Sequence, residues 1–356
     1  MGVTMRRNLL HLIISTISIV LVYFLMILFW ESPSGKLSRR AQYNQDRLPP
    51  HSLPVARGSV TLSDGSYTYH LNFSQFQLEF PYLQTYRCSL TLTPHLQPEE
   101  EMATKLLLMA IKSHPSSGAR RAALRSTWAR RWEVEDYRVK PIFLVAETEQ
   151  RGAMEMVRAE NEEFGDILQW DFTEGHHNLS LKERCFLEWL HLRLPHVAFV
   201  FKGDDDEYAN PEALVLYARE HDAFPQTLHG HIQYDTRVMR EAKYRISETL
   251  YPFHRFPLFL SGGGFMFPGT SVLPLYQASQ KLPVFPLDDV YVGFLSLAAN
   301  LTYRNDARFI VVRREFNPCL YKLALVVHGI QSDELVKIWK EVQNACCKAA
   351  PPNGKC

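Results

Sequence analysis

An α/β fold built on a mostly parallel sheet is what this sequence predicts, and three observations carry the prediction. Residues 197–206 read Val-Ala-Phe-Val-Phe-Lys-Gly-Asp-Asp-Asp, apolar on both alternations, as a strand covered on both faces must be. From residue 105 onward such runs alternate with helical stretches, the pattern of helices laid against a sheet. The 356 residues, 46% of them hydrophobic, suffice for one large core or two smaller ones and lack the composition of a disordered chain. A formal net charge of +1, with both signs interspersed, argues against a general polyanion binder, so no nucleic-acid partner is expected.

In chain order, residues 1–8 read as a cytoplasmic tail and 9–30 as a membrane anchor. The run 9–30 carries no charge and only His11, Ser15, Thr16 and Ser18 as clearly polar members, and about 20 apolar residues span a bilayer. A cleaved signal peptide is the alternative, but its apolar region is ~7–15 residues long and ends at a small-x-small site. This run instead passes into Phe29, Trp30 and Glu31. Arg6 and Arg7 favour a cytoplasmic amino terminus, while Lys36, Arg39 and Arg40 on the other flank weaken that signal. Asn72-Phe-Ser, Asn178-Leu-Ser and Asn300-Leu-Thr are glycosylation acceptors that, if used, put everything after the anchor in the lumen. Residues 31–97, rich in Pro, Ser, Arg and Gln, read as a stem, with 73–86 aromatic enough to pack on the domain that follows. The six cysteines suit an oxidising compartment. Their pairing is open, and they lack the CxxC framework of a structural zinc site.

A globular domain is expected over 98–356. Its first strand falls at 105–111 and a helix follows over about 120–132. A second strand at 143–146, a helix at 152–164 and a short strand at 167–170 come next. Ser180 and Glu183 have capping-box spacing and open a helix to residue 194 with Leu181, Cys185, Trp189 and Leu192 on one face. That helix leads into the aspartate strand. There is no internal repeat.

Three aspartates at the carboxyl edge of a buried strand repel one another unless a cation sits among them, and open α/β sheets bind ligands at that edge. Clustered hard oxygens favour Mg²⁺ or Mn²⁺, which bind through one or two carboxylates plus substrate phosphates, so a nucleotide diphosphate is the first candidate ligand. A solvated acidic turn or a helix N-cap is the competing explanation. The second acidic cluster, Asp288-Asp289, precedes an apolar helical stretch through Ala299. It can be a cap that complements the helix dipole or can supply a general base to an attacking hydroxyl. Between the clusters, Gly262-Gly263-Gly264 interrupts an apolar segment, which fits close approach of a ligand to the backbone or else a bulge or flexible loop. Arg120, Arg121 and Arg125 lie on the first helix, where phosphates are held in many α/β proteins, although a solvated basic face is the default.

Taken in order, Ala-Ile-Lys-Ser (110–113), Arg-Arg-x-x-x-Arg-x-Thr-Trp (120–128), Asp-Ile-Leu-Gln-Trp-Asp-Phe (166–172), Asn-Leu-Ser-Leu-Lys-Glu (178–183), Phe-Lys-Gly-Asp-Asp-Asp (201–206), Gly-Gly-Gly-Phe (262–265) and Asp-Asp-Val-Tyr (288–291) resemble the β-1,3-glycosyltransferases of the galactosyltransferase/fringe superfamily. Within it the chain is most similar to the β-1,3-N-acetylglucosaminyltransferases, over about 105–342. The resemblance implies a GT-A-type, Rossmann-like catalytic domain on a single-pass type II anchor in the Golgi membrane. It also implies inverting transfer of GlcNAc from UDP-GlcNAc to the 3-hydroxyl of a galactose-terminated glycan on glycoprotein or glycolipid, with Mn²⁺ or Mg²⁺ as cofactor. Residue by residue, Asp204 and Asp206 resemble the outer carboxylates of the DxD motif and His328 the late histidine at the metal or diphosphate. Asp289 resembles the catalytic base, with Asp288 beside it. Arg121, Arg125, Lys202, Asp204, Asp205 and Gly262 to Gly264 form the implied donor-binding set. Three features depart from the family pattern: Glu207 stands where an apolar residue is usual, Ser261 replaces the first of an often four-glycine run, and 251–259 lacks Tyr-Pro-Pro-Tyr. The competing functions are a β-1,3-galactosyltransferase using UDP-Gal, a catalytically silent glycan binder and a metal-dependent phosphohydrolase.

Overall fold

The computed structural model describes residues 58–222 and 224–347. The expected tail, the anchor and residues 31–57 of the stem lie outside the described residues, among which no helix is long and apolar enough to cross a membrane. The strands are β1 (Ser59–Ser63), β2 (Thr68–Asn72), β3 (Leu90–Leu92), β4 (Leu106–Lys112), β5 (Trp132–Val134), β6 (Tyr137–Glu147), β7 (Ile167–Thr173), β8 (Phe199–Asp204), β9 (Glu207–Ala209), β10 (Thr227–Gln233), β11 (Phe259–Pro268), β12 (Thr302–Asn305), β13 (Phe309–Ile310) and β14 (Val326–His328). Nine of them form the main sheet in the order β12-β10-β11-β8-β4-β6-β7-β3, with β5 added to β6.

The sheet is mixed, where a mostly parallel one was expected. Its centre, β8-β4-β6-β7, is parallel, because helices Gly118–Arg125, Arg151–Phe164 and Leu179–Arg193 carry the chain back between successive strands. β11 then runs antiparallel to both β8 and β10, and β3 runs antiparallel to β7. β4 shows why both alternations are apolar: Leu106, Leu108 and Ala110 join one core and Leu107, Met109 and Ile111 the core on the other face. Its last residue, Lys112, reaches the carboxyl edge.

The first helix is shorter than expected, ending at Arg125. The Thr127 hydroxyl donates back to the Ala123 carbonyl, and the fully buried Trp128 donates its Nε1–H to the Glu207 carbonyl at 2.9 Å. Holding that indole in the core turns the chain, and Trp132 opens β5 instead. The capping box is also absent. Asn178 precedes helix Leu179–Arg193 without a side-chain cap, the Ser180 hydroxyl is buried in the first turn without a partner, and Glu183 is drawn to Lys202. Leu192, expected on the buried face, is 59% exposed. Helix Arg151–Phe164 does end as its sequence implies, with Gly165 at φ 60°.

Residues 58–97, read from the sequence as the end of the stem, carry β1, β2 and β3. β3 extends the main sheet, and a disulfide joins Cys88 to Cys185 on helix Leu179–Arg193. A second disulfide, Cys319–Cys347, ties down the carboxyl-terminal helix Ser332–Asn344.

Candidate active site

The carboxyl edge of β4 and β8 opens into a basin of about 710 Å³ lined by Lys112, Arg120, Asp204, Asp205, Asp206, Gly262, Gly263, Asp288, Asp289 and His328. The register places Lys112 beside Asp204. After the turn at 205–206, Glu207 pairs with His328 in the small sheet β13-β14-β9, which brings the late histidine to the aspartate triplet. His328 Nε2 lies 3.5 Å from Asp206 Oδ1. One ligand atom each from Asp204, Asp206 and His328 lies within 4.8 Å of the other two. Two carboxylates and an imidazole at that spacing fit a borderline-hard divalent ion such as Mn²⁺. Asp205 points elsewhere, accepting from the Ser113 hydroxyl at 2.7 Å and from Arg120 Nη1 at 3.0 Å.

Asp288 and Asp289 form the first turn of helix Asp288–Ala298, and neither is its N-cap, which is Leu287. Asp289 faces β11, where its Oδ2 accepts from the Gly262 N–H at 3.0 Å. Desolvation and the neighbouring Asp288 charge lift its carboxyl to about 8, against the opposing pull of Lys112. For Asp288 desolvation works in the same upward direction. The Lys112 ammonium, whose Nζ donates to Asp288 Oδ2 at 2.7 Å, outweighs it and holds this carboxyl below its ordinary value. Lys112 Nζ also sits 3.2 Å from Asp204 Oδ1. One buried ammonium thus joins the two acidic clusters.

The three glycines make room for the site rather than form a flexible loop. A Cβ on Gly262 would lie 2.4 Å from Asp289 Oδ1, one on Gly263 would lie 3.0 Å from His328 Cγ, and one on Gly264 would lie 2.7 Å from Val326 Cγ1. Gly264 also holds φ +102°, a conformation that favours glycine. Close backbone approach is therefore what the run provides.

Four members of the expected donor set, Arg121, Arg125, Lys202 and Gly264, lie away from the basin. Arg121 is fully buried, and its five N–H groups go to Glu160, Ser113, His114 and Pro115. Arg125 pairs with Asp166 and Glu160. Lys202 is buried against Glu183 at 2.8 Å and beneath the Phe186 ring. The basic basin residues are instead Lys112, Arg120, Lys182 and Lys243. Lys112 and Lys182 stand inside motifs quoted above, where a lysine ending an otherwise apolar strand was the signal available for Lys112. His176 and Tyr244, rings 5.2 Å apart, also line the basin and carry no motif.

Glu207 is fully buried, and neither carboxylate oxygen has a partner. Burial first, then the charges of Asp204 and Asp206, push it well above the ordinary glutamate range. A raised carboxyl pKa in the fold means stability is lost as pH climbs above the unfolded value, about 4.3. Glu207→Met should therefore stabilise the ion-free protein by about 1–3 kcal/mol at pH 8, and by less at pH 4. Thermal melting at the two pH values checks this, and an unchanged or lower melting temperature at pH 8 would contradict it.

Residues 119–307 match the model of the Galactosyltransferase family. The chain is 33% identical over 247 residues to human N-acetyllactosaminide beta-1,3-N-acetylglucosaminyltransferase 3, covering 65% of this chain and 66% of that one. It is 31% identical over 331 residues to human N-acetyllactosaminide beta-1,3-N-acetylglucosaminyltransferase 2, covering 88% and 79%. Human Beta-1,3-galactosyltransferase 5 is 29% identical over 252 residues, covering 69% and 81%. The chain thus spans 66% of the length of the first of these relatives. Because the family match takes in more than half of the 356 residues and both acidic clusters, this chain belongs to the galactosyltransferase family of glycosyltransferases.

Proposed function

We propose that this chain is an inverting, metal-dependent β-1,3-N-acetylglucosaminyltransferase of GT-A type that transfers GlcNAc from UDP-GlcNAc to the 3-hydroxyl of a galactose-terminated glycan. The observation that carries the proposal is a single basin in which the Asp204/Asp206/His328 cluster and Asp289 face each other with Lys112 between them. In the transfer, the Asp289 carboxylate takes the proton of the acceptor 3-hydroxyl. That oxygen forms a bond to the anomeric carbon as the bond to UDP breaks, and a single displacement inverts the configuration. The Gly262 N–H orients Asp289 toward the basin, and Lys112 keeps Asp288 ionised beside it. Asp204, Asp206 and His328 would hold a divalent ion, which supplies positive charge to the departing diphosphate. Arg121 acts at one remove by fixing residues 113–115, and through Ser113 it sets Asp205. A Golgi membrane location with a lumenal domain on the 9–30 anchor is part of the proposal and agrees with the disulfides Cys88–Cys185 and Cys319–Cys347.

A β-1,3-galactosyltransferase is the second reading, favoured by the similarity to Beta-1,3-galactosyltransferase 5. The two differ in a few donor-pocket contacts. Offering UDP-GlcNAc and UDP-Gal to the purified lumenal domain, with galactose- and GlcNAc-terminated acceptors, Mn²⁺ and a chelator control, separates them. GlcNAc transfer onto galactose is the expected result. Transfer from UDP-Gal alone would replace the first reading with the second. Phosphate or UDP release without acceptor would point to hydrolysis, and the absence of any turnover would point to a glycan binder.

A further inference from the structure

Residues 234–258 connect β10 to β11 without a helix or strand of their own, yet they are closely held. Ile246 and Leu250 are buried, and the Ile246 N–H donates to the Met239 carbonyl at 2.9 Å. Arg240 Nη1 lies 3.0 to 3.1 Å from the carbonyls of Ile246, Ser247 and Tyr251, and its Nη2 donates to the Phe253 carbonyl at 2.8 Å. These bonds close a tip, residues 240–245, whose exposed Lys243 and Tyr244 line the basin. The Tyr244 ring meets that of His176 at 5.2 Å. Burial, then the Lys243 ammonium, hold the His176 pKa below its ordinary value against the pull of Asp288. An Asp288 charge felt there puts this wall beside the proposed base, Asp289, where the acceptor hydroxyl must lie. Within the tip Ala242 holds φ 60°, a conformation that persists in a non-glycine residue only when its surroundings impose it.

Part of what imposes it comes from outside the loop. Glu79 is the last residue of helix Phe73–Glu79, in the segment whose sequence reads as stem. The Ser247 hydroxyl donates to its carboxylate, 2.6 Å from Oε2 and 2.8 Å from Oε1, and the Thr249 hydroxyl donates to Oε1 at 3.0 Å. Ser247 Oγ in turn accepts the Leu250 N–H at 3.0 Å, so the carboxylate is tied to the backbone of the loop. Gln75, one turn back, donates to Oε1 at 2.8 Å and aims it. Phe253 adds a second contact with the same segment, its ring 5.8 Å from that of Tyr69. Burial acts to raise the Glu79 carboxyl, but the donors Ser247, Gln75 and Thr249 outweigh it and hold it below its ordinary value. Hydrogen bonds to an ionised carboxylate are about twice as strong as neutral ones. We propose that Glu79 is a positioning residue for acceptor binding: through Ser247 and Thr249 it holds residues 240–251 so that Lys243 and Tyr244 form the acceptor wall of the basin. The proposal deepens the transferase reading and rests on it for the identity of the acceptor, a galactose-terminated glycan. The ion cluster depends instead on β8, the turn after it and β14, so UDP binding should be unaffected.

The test is titration with N-acetyllactosamine, in the presence of UDP and Mn²⁺, of the unaltered chain, Glu79→Ala and Glu79→Gln, with amide hydrogen exchange read on the same proteins. A loop that is competent only part of the time lowers apparent affinity by that fraction, so Glu79→Ala should weaken acceptor binding about 5- to 30-fold. Transfer assays should show the same rise in acceptor KM, with kcat at saturating acceptor and UDP affinity within about twofold of normal. Exchange at Ile246, Leu250 and Tyr251, whose amides are bonded within the loop, should quicken about tenfold. Glu79→Gln, whose amide oxygen still accepts from one hydroxyl, should recover most of the affinity. Should Glu79→Ala fail to fold, Thr249→Val, at an exposed position, should raise the acceptor KM about 2- to 5-fold. Ordinary acceptor affinity in either folded variant overturns the proposal. So does a loss of UDP affinity as large as that of the acceptor, which would make Glu79 a general support of the basin. Binding and exchange need no transfer, so a chain in which Glu79 controls both but which transfers nothing would keep the positioning role and refute the transferase reading.

Discussion

Asp289→Asn is expected to lower kcat by about 10²- to 10⁴-fold, the range for removing a positioned general base. The amide keeps the shape of the carboxylate and can still accept from the Gly262 N–H, so UDP binding, read by calorimetry, should change little. The unaltered enzyme should also show an acid limb in kcat/KM near pH 8. Desolvation and Asp288 raise Asp289 to about 8, only the ionised form accepts a proton, and kcat/KM reports the free enzyme. Activity should therefore climb with pH through about 8, where it is half-maximal, and level off above that. The Asn variant should lack that limb. A variant with more than a tenth of the normal kcat, or an acid limb at the ordinary aspartate position, would remove Asp289 from the role of base.

The second large effect concerns the ion. Treatment with a chelator should abolish transfer and added Mn²⁺ should restore it. Asp206→Asn should cost about 10³-fold, in line with the several kcal/mol that a cation contributes to a developing diphosphate charge. Asp206 bears this test better than Asp204, because Asp204 is also tied to Lys112 and its replacement would disturb the second acidic cluster as well. Full activity in the presence of chelator, or in Asp206→Asn, would show that the Asp204/Asp206/His328 cluster holds no ion needed for the reaction.

Much of this site is local in sequence and so was readable there. An apolar strand that stops at Gly-Asp-Asp-Asp states its own burial and its exposed end, and a glycine triplet inside a strand states that something comes close. What came close was a matter of long-range geometry: Asp289, His328 and Val326 lie 27 to 65 residues beyond their glycines. The same limit explains the arginines. Arg121 and Arg125 follow a strand end, as phosphate ligands do, yet their partners Glu160 and Asp166 come from a helix and a strand entrance that no local pattern places beneath them. Strand direction was likewise hidden, since the residues of β11 read the same whether it runs with β8 or against it. Helix Gly118–Arg125 stops early for one tertiary reason, the burial of Trp128, that local propensity does not contain.

The bond between Lys112 and its two aspartates has a consequence for how such a protein is supplied with its ion. A cluster of carboxylates normally needs a metal before the chain can close around it, which couples folding to metal loading. Here an internal ammonium stands in for part of that charge, so the two acidic clusters are held together without an ion, and the chain should reach the same fold with and without added Mn²⁺.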